Sequence, residues 1–385
     1  MISILNKIKP SNKEEDRIKK IVDNFIVNLN KNIKEEIIIG GSFAKETWLK
    51  NNHDIDLFVL FNDDKNCSEK LETAIKKTFK KYQRIHGSRD YFSLKYKNLN
   101  FEIVPVYKIE KAEEARNITD VSPLHINYVK ENTTQKQKDE IKITKYFLKI
   151  NKCYGAETYI GGFSGYMAEL LIIKYGSFEN LIKNVKKWKY GHQIDIGENG
   201  IFKSEQKFPL IFIDPVQLNR NAAAGLKKEK FETFIDLCKK YNKKNMGKFF
   251  KQKKINLKKY DIILKIKPEN GIKDIVGTKI LKKYEYIKNK LNEYEFIVTE
   301  STWIWEERKK AILYYKIKNK KLSKTYKHYG PPVNMKENAK KFIKKYKLEK
   351  IGTEKGKLYI ILNRKYKDYK EFVKKIEYYT TSNFQ

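Results

Sequence analysis

Residues 40–60 read GGSFAKETWLKNNHDIDLFVL. Two glycines and a serine are followed, after eleven residues, by Asp54 and Asp56, one residue apart in an otherwise apolar run. On a strand, residues two apart point to the same face. Like charges so placed repel, and next to buried apolar neighbours they are costly unless something compensates. A divalent cation does so. Mg²⁺ takes hard oxygen ligands, commonly one or two carboxylates together with substrate phosphates. Glu102, in LNFEIVPVY, is the only acid of a second apolar strand and the candidate third ligand. A bare D-x-D also fits an exposed strand edge, but here it follows a Gly-Gly-Ser turn. A strand, that turn and a helix would offer Gly41 and Ser42 to a triphosphate, with backbone N–H groups at the helix start favouring the anion. Phosphate cradle and acids together suit two-metal nucleotidyl transfer, with one ion activating a 3′-hydroxyl and the other neutralising pyrophosphate.

Around this stretch the spacing predicts a small α/β unit. It contains a helix over 11–30 with Ser11 and Glu14 as a capping pair, a strand over 36–39 and a helical turn over 43–48. A strand over 54–61 and a helix over 68–82 follow, then a hairpin of 91–97 and 99–107 in which Pro105 ends ladder pairing. A polar stretch, 110–132, leads to helices over 136–151, 164–175, 178–188, 220–226 and 230–244, with short strands flanking 208–213. Beyond 254, strands at 261–265 and 311–317 alternate with helices at 279–292 and 335–346, and a strand–helix pair closes the chain. The fold class expected is α+β and multidomain: a catalytic head over 1–132, a helical central region over 133–253 and an α+β C-terminal region over 254–385.

The chain has 385 residues, 40% of them hydrophobic, which excludes compositional disorder and suggests more than one core. No apolar run is long enough for a membrane span. The three cysteines (Cys67, Cys153, Cys238) are scattered, which speaks against a disulfide framework or zinc site and for a reducing, cytoplasmic setting. A formal charge of +36 points to a polyanionic partner. Of the 83 basic residues only seven are arginines, so an arginine here is a more informative residue than a lysine. Met167, Leu170, Leu171 and Tyr175 read as core, as do Trp303, Trp305 and the aromatics of 326–329, although Tyr326, His328 and Tyr329 could also stack on RNA. Lys142 and Lys149 read as solvated or RNA-facing charge, and Asp63 and Asp64 as a solvated turn.

Glycine-serine followed by D-x-D is the signature of the DNA polymerase β-like nucleotidyltransferases. Together with FEIVPVYKI, TDVSPLHINYV, YGAETYIGGFSGYMAELLIIKYGSF, FIDPVQLNRNAAAGL and HYGPPVNMKENAKKFIKKY, the chain resembles the archaeal, class I CCA-adding enzymes from residue 40 to about 346. The resemblance implies a polymerase β-like head, a helical neck, and a body and tail that hold tRNA. It implies a Mg²⁺-dependent tRNA nucleotidyltransferase that builds or repairs the 3′ CCA from CTP and ATP without a nucleic-acid template. Asp54, Asp56 and Glu102 take the places of the three metal-binding carboxylates, with Glu102 where the family usually has Asp. Ser42, Lys45, Lys145 and Tyr154 match triphosphate contacts, Lys45 standing where many relatives have Arg. His125 and Arg89 match positions near the nucleotide. Arg220 matches the arginine that reads the base, a role its rigid donor fork suits. Relatives suggest a homodimer. A poly(A) polymerase or oligoadenylate synthetase shares the head motifs, and a non-catalytic RNA-binding protein would share the charge.

Overall fold

The computed structural model describes residues 1–385 other than 53, 64, 198–199, 201, 203, 253–255, 307–308, 348 and 382–385, with side chains described through 376. Asp64, expected in a solvated turn, lies outside the described residues; Asp63 is exposed. The chain divides into two compact units, 1–253 and 254–385.

The first unit begins with α1 (Ile2–Ile8) and α2 (Asn12–Asn30), capped by Ser11, whose side chain accepts from the Glu14 N–H. Then come β1 (Glu36–Ile39), the single turn α3 (Gly41–Ala44), β2 (Asp54–Phe61), α4 (Cys67–Thr78), β3 (Gln83–Ile85), β4 (Tyr91–Tyr96) and β5 (Leu99–Tyr107). The sheet runs β1-β2-β5-β4-β3, with β2 and β5 parallel and every other neighbour antiparallel. Ile18, Val22, Phe25 and Leu29 form the buried stripe of α2, at helical spacing. They meet Ile55, Leu57, Phe101 and Ile103 of the sheet, and the Phe25 ring stacks on Phe101 at 3.9 Å. Each such aromatic contributes about 2–3 kcal/mol by leaving water. Strand alternation then puts Asp54, Asp56, Asn100 and Glu102 on the opposite face.

Two expectations change in the head. Pro105 ends pairing on one side only: the antiparallel ladder with β4 stops at Ile103, while the parallel ladder with β2 runs on to Tyr107. A proline lacks one N–H, so it can remain in a strand where that donor faces no partner. The turn expected over 43–48 is instead α3, which ends before Glu46; Glu46 has φ of 57° and turns the chain so that the Thr47 N–H returns to Ser42 O.

The stretch 110–132, expected to be polar connection, contains α5 (Ser122–Glu131), with Pro123 in its first turn, where a missing N–H costs nothing. After it come α6 (Gln135–Ile150), α7 (Gly165–Tyr175), α8 (Phe178–Val185), β6 (His192–Ile194), β7 (Leu210–Phe212), α9 (Lys228–Lys240) and α10 (Met246–Phe249). Phe147, Phe163, Phe178 and Phe234 centre a core that α1 also joins through Ile8. The helix expected over 220–226 is a run of turns. Asn221 takes the backbone there: its side chain accepts from the N–H groups of Phe212 and Ala223 and donates to Leu210 O. A short polar side chain that bonds backbone in this way competes with helix formation.

The second unit holds β8 (Ile262–Ile266), α11 (Lys273–Glu293), β9 (Val298–Glu306), β10 (Lys310–Ile317), β11 (Thr325–Pro332), α12 (Lys336–Lys345), β12 (Ile351–Glu354), β13 (Lys357–Asn363) and α13 (Tyr369–Thr381). It forms two three-stranded sheets, β8-β10-β9 and β11-β13-β12. Trp303 and Trp305 pack against this unit's own core of Ile262, Leu264, Ile280 and Leu313, as expected. The aromatic strand is less enclosed than expected: His328 packs on Phe342 and Tyr346, but Tyr329 is half-exposed.

Candidate active site

The acidic face lies where β2 and β5 run side by side. Asp54 is opposite Asn100 and Asp56 opposite Glu102. The Asn100 amide donates to Asp54 Oδ1 at 2.9 Å, and Ser93 of β4 lies opposite Glu102. Burial and the charge of Asp54 push the Asp56 carboxyl above the usual carboxylate range, with Lys45 pulling the other way. That unrelieved charge fits a cation, and the donors are all hard oxygens. Among the described residues, no three acidic, histidine or cysteine side chains already close into a metal cluster. The acids form an open face.

The Gly40–Gly41–Ser42 turn is built onto this face. The Gly40 N–H donates to Asp56 O at 2.7 Å, and Gly41 has φ of 59°. A Cβ on Gly41 would fall 1.6 Å from Asp56 Oδ2, so only glycine lets the turn lie there. The α3 turn is too short for much of a helix dipole; what it supplies is N–H groups next to the Ser42 hydroxyl.

Behind the turn lies Glu169 of α7, fully buried. Its Oε2 accepts from Lys45 at 2.6 Å, and its Oε1 from Lys145 at 2.8 Å and the Thr47 hydroxyl at 2.7 Å. Burial alone would raise its pKa, but the two ammonium groups bring it down to about 2. The Tyr154 hydroxyl is enclosed close by, so that a Cβ on Gly165 would approach it to 3.0 Å; burial and the Glu169 charge raise its pKa. On the same face of α6, Lys142 is buried and paired with Asp139 at 3.1 Å, contrary to a solvated reading, while Lys149 is exposed.

A second buried carboxylate, Asp214, follows β7. Arg220 Nη1 donates to its Oδ2 at 2.5 Å, and the Tyr166 hydroxyl and Val216 N–H donate to its Oδ1, each at 3.0 Å. His125 Nε2 lies 3.1 Å from Oδ2, within ion-pair distance but out of line for a hydrogen bond. Burial would raise the Asp214 pKa; His125, the Val216 N–H and Arg220 together hold it below the ordinary value. The His125 and Tyr166 rings pack at 4.4 Å. Arg220 lines a cleft of about 570 Å³ together with Ser164, Phe208, Gln217 and Asn221. Arg89 is committed elsewhere, forked on buried Asp120, which also accepts from the N–H groups of Tyr107 and Asn117. That geometry makes Arg89 a support of the loop that follows β5.

The sequence of this chain matches the nucleotidyltransferase domain family over 12–150, the tRNA nucleotidyltransferase second domain over 139–251 and the CCA-adding enzyme C-terminal domain over 259–384. It is 35% identical to the CCA-adding enzyme of Nanoarchaeum equitans, covering 94% of this chain and 92% of that one. The CCA-adding enzyme of Methanocaldococcus jannaschii is 32% identical, with 94% and 87% covered. The chain belongs to the CCA-adding enzymes. Among solved structures, the RNA terminal uridylyl transferase Cid1 matches with a TM-score of 0.53 at 13% identity, over 66% of this chain and 97% of that one. That likeness is one of fold; the nucleotidyltransferase assignment rests on the family match over 12–150.

Within this CCA-adding enzyme family member, the first unit brings together Asp54, Asp56, Glu102, Gly41, Ser42 and Lys45 around one face, and Lys145 and Tyr154 behind it. His125 and Arg220 meet at Asp214, and Arg89 stands apart on Asp120. Sequence reasoning missed Glu169, Asp214 and Asp120. The first two carry a signal that could have found them: each is a lone acid in an apolar run, MAELLII and LIFIDPV. This is the anomaly that singled out Asp54 and Asp56.

Proposed function

We infer that this chain is a template-independent nucleotidyltransferase that builds or repairs the 3′-terminal CCA of tRNA, taking CTP and ATP as substrates. The observation that carries the reading is the direct abutment of the Gly40–Gly41–Ser42 turn on the Asp54–Asp56–Glu102 face, in a chain that follows CCA-adding enzymes over nearly its whole length.

In this reading Asp54, Asp56 and Glu102 would hold Mg²⁺. When bound, the metal supplies charge neutralisation and Lewis-acid stabilisation for in-line displacement at phosphorus. The chain's own groups do the rest. The Gly41 N–H and Ser42 hydroxyl orient the triphosphate, and Lys45 offsets its charge. Tyr154 closes the pocket behind. Arg220, steadied by Asp214 beside His125, presents a fixed donor fork to the base edge. Cytosine O2/N3 and adenine N1 can accept from it, whereas the uracil and guanine edges match it poorly. Residues 1–132 form the catalytic head, 133–253 the central region and 254–385 the part that holds the tRNA acceptor arm. The net charge of +36 supports a polyanionic substrate. We place the protein in the cytoplasm as a homodimer; among the described residues no helix is long and apolar enough to cross a membrane.

The test uses purified protein, Mg²⁺ and a tRNA ending at the discriminator base, with each nucleoside triphosphate alone and in pairs. Two C residues from CTP, then one A that requires ATP, is the expected product. Long A tails on any RNA would overturn the reading in favour of a poly(A) polymerase. No incorporation would favour a non-catalytic RNA-binding protein.

A further inference from the structure

We propose that Glu169 is a positioning residue for nucleotide binding: it aims Lys45 at the triphosphate, with Lys145 and Thr47 bracing it from behind. The proposal rests on the reading of Lys45 as a triphosphate contact, and it assigns the two lysines different tasks.

The distinction comes from counting donors. An ammonium has three N–H groups. Lys145 Nζ reaches three acceptors: Glu169 Oε1 and Thr47 Oγ1, both at 2.8 Å, and Thr47 O at 3.3 Å. It has no donor left for a phosphate. Lys45 bonds only Glu169 among the described residues, at 2.6 Å, which leaves two donors free. Lys45 also lies close enough to the acidic site for its charge to act on Asp56.

Burial makes the arrangement rigid. Glu169 is 0% exposed, and the side chains of Lys45 and Lys145 are 9% and 3% exposed. The four groups come from three parts of the chain. Lys45 and Thr47 follow α3, Lys145 sits on α6, and Glu169 sits on α7, whose N-terminus is capped by Ser164. Two ammonium groups share one carboxylate, so the cluster keeps one positive charge beside the phosphate turn. A lysine anchored in this way loses little further rotamer freedom when an anion arrives, which is the advantage of a prepared site. Without Glu169, two buried ammonium groups would repel each other and Lys45 would lose its aim.

The decisive variant is Glu169→Gln, which keeps the shape and removes the charge. The readouts are KM for CTP and ATP, KM for tRNA lacking CCA, and the inhibition constant of inorganic tripolyphosphate, which carries no base. We expect the nucleotide KM values and the tripolyphosphate constant to rise together by about tenfold, with the tRNA KM unchanged. Glu169→Asp should recover part of the loss, and adding Glu169→Gln to Lys45→Ala should cost little more than Lys45→Ala alone. A tripolyphosphate constant unchanged in Glu169→Gln but raised in Lys45→Ala would overturn the positioning role while sparing the triphosphate reading. Constants unchanged in both variants would overturn both. If Glu169→Gln does not fold, Thr47→Val removes only the bridging hydroxyl. It should then raise the tripolyphosphate constant about two- to fivefold, and no rise would sink the proposal.

Discussion

Two fully buried carboxylates, Glu169 and Asp214, lie at the N-terminal part of α7, and they are satisfied in different ways. Glu169 is held by two lysines and a threonine hydroxyl; Asp214 is held by a guanidinium, a phenol and a backbone N–H, with an imidazole alongside. Lysine is a compact charge on a flexible stem, whereas arginine is a planar fork with fixed directions. In the proposed reading the Glu169 cluster would manage charge without reading shape, as a triphosphate requires, and the Asp214 cluster would fix orientation, as discrimination between bases requires. Helix α7 joins the two: Tyr166 bonds Asp214, Glu169 lies three residues on, and the Lys45 ammonium stands 5.9 Å from the Tyr166 ring.

The hardest blow to this comparison is to remove what both clusters serve. Asp54→Ala should lower incorporation of every nucleotide by about a thousandfold or more while leaving both buried clusters intact. Glu102→Ala should fall in the same range and Glu102→Asp should keep activity; gel-based incorporation assays check all three. Retained activity in Asp54→Ala would detach both clusters from catalysis.

The next effect separates the clusters. Asp214→Asn should reduce the preference for CTP over UTP by about tenfold, because Arg220 loses its fixed anchor, yet leave the inhibition constant of tripolyphosphate unchanged. If the tripolyphosphate constant rises instead, the two carboxylates share one task.

Acid titration gives a smaller, stability-level contrast. In the folded state the two ammonium groups hold the Glu169 pKa at about 2, below the ordinary 4.5. A depressed carboxylate stabilises the fold above its unfolded pKa, and that contribution disappears as pH falls from about 4.5 through about 2. It amounts to a few kcal/mol. Thermal melts across this range should show a steeper loss in the wild type than in Glu169→Gln.

The smallest expected change comes from an exposed counterpart of the buried links. Lys138 pairs with Glu46 at 2.9 Å, joining the same two segments, but the Glu46 side chain is 61% exposed. Lys138→Ala should cost no more than about 1 kcal/mol. A larger loss in a denaturant melt would mean that exposed links carry the packing assigned to Glu169.

Much of the architecture was legible because it rests on local periodicity. The stripe of α2, the bounds of β2 and β5 and the acids on one strand face all follow from alternation, capping or composition. What escaped depends on partners distant in sequence. Thr47, Lys145 and Glu169 meet across separations of up to 122 residues, and although its apolar run marks Glu169 as anomalous, no local pattern names the partners. The helix expected over 220–226 failed for a related reason. Ala222, Ala223 and Ala224 favour helix, but Asn221 bonds strand residues nine and eleven positions away. Arg89 was legible as an informative arginine, but its partner Asp120 could be seen only in three dimensions.

The contact between Gly41 and Asp56 has one more consequence. A methyl group at position 41 would collide with Asp56 Oδ2, so Gly41→Ala would deform the acidic face without removing an acid. The turn and the carboxylate strand are thus packed as one part, with the Gly40 N–H bonded to Asp56 O and no room between Gly41 and the Asp56 carboxylate. If the turn seats a nucleotide as proposed, one that seats badly would disturb the carboxylate before any chemistry begins.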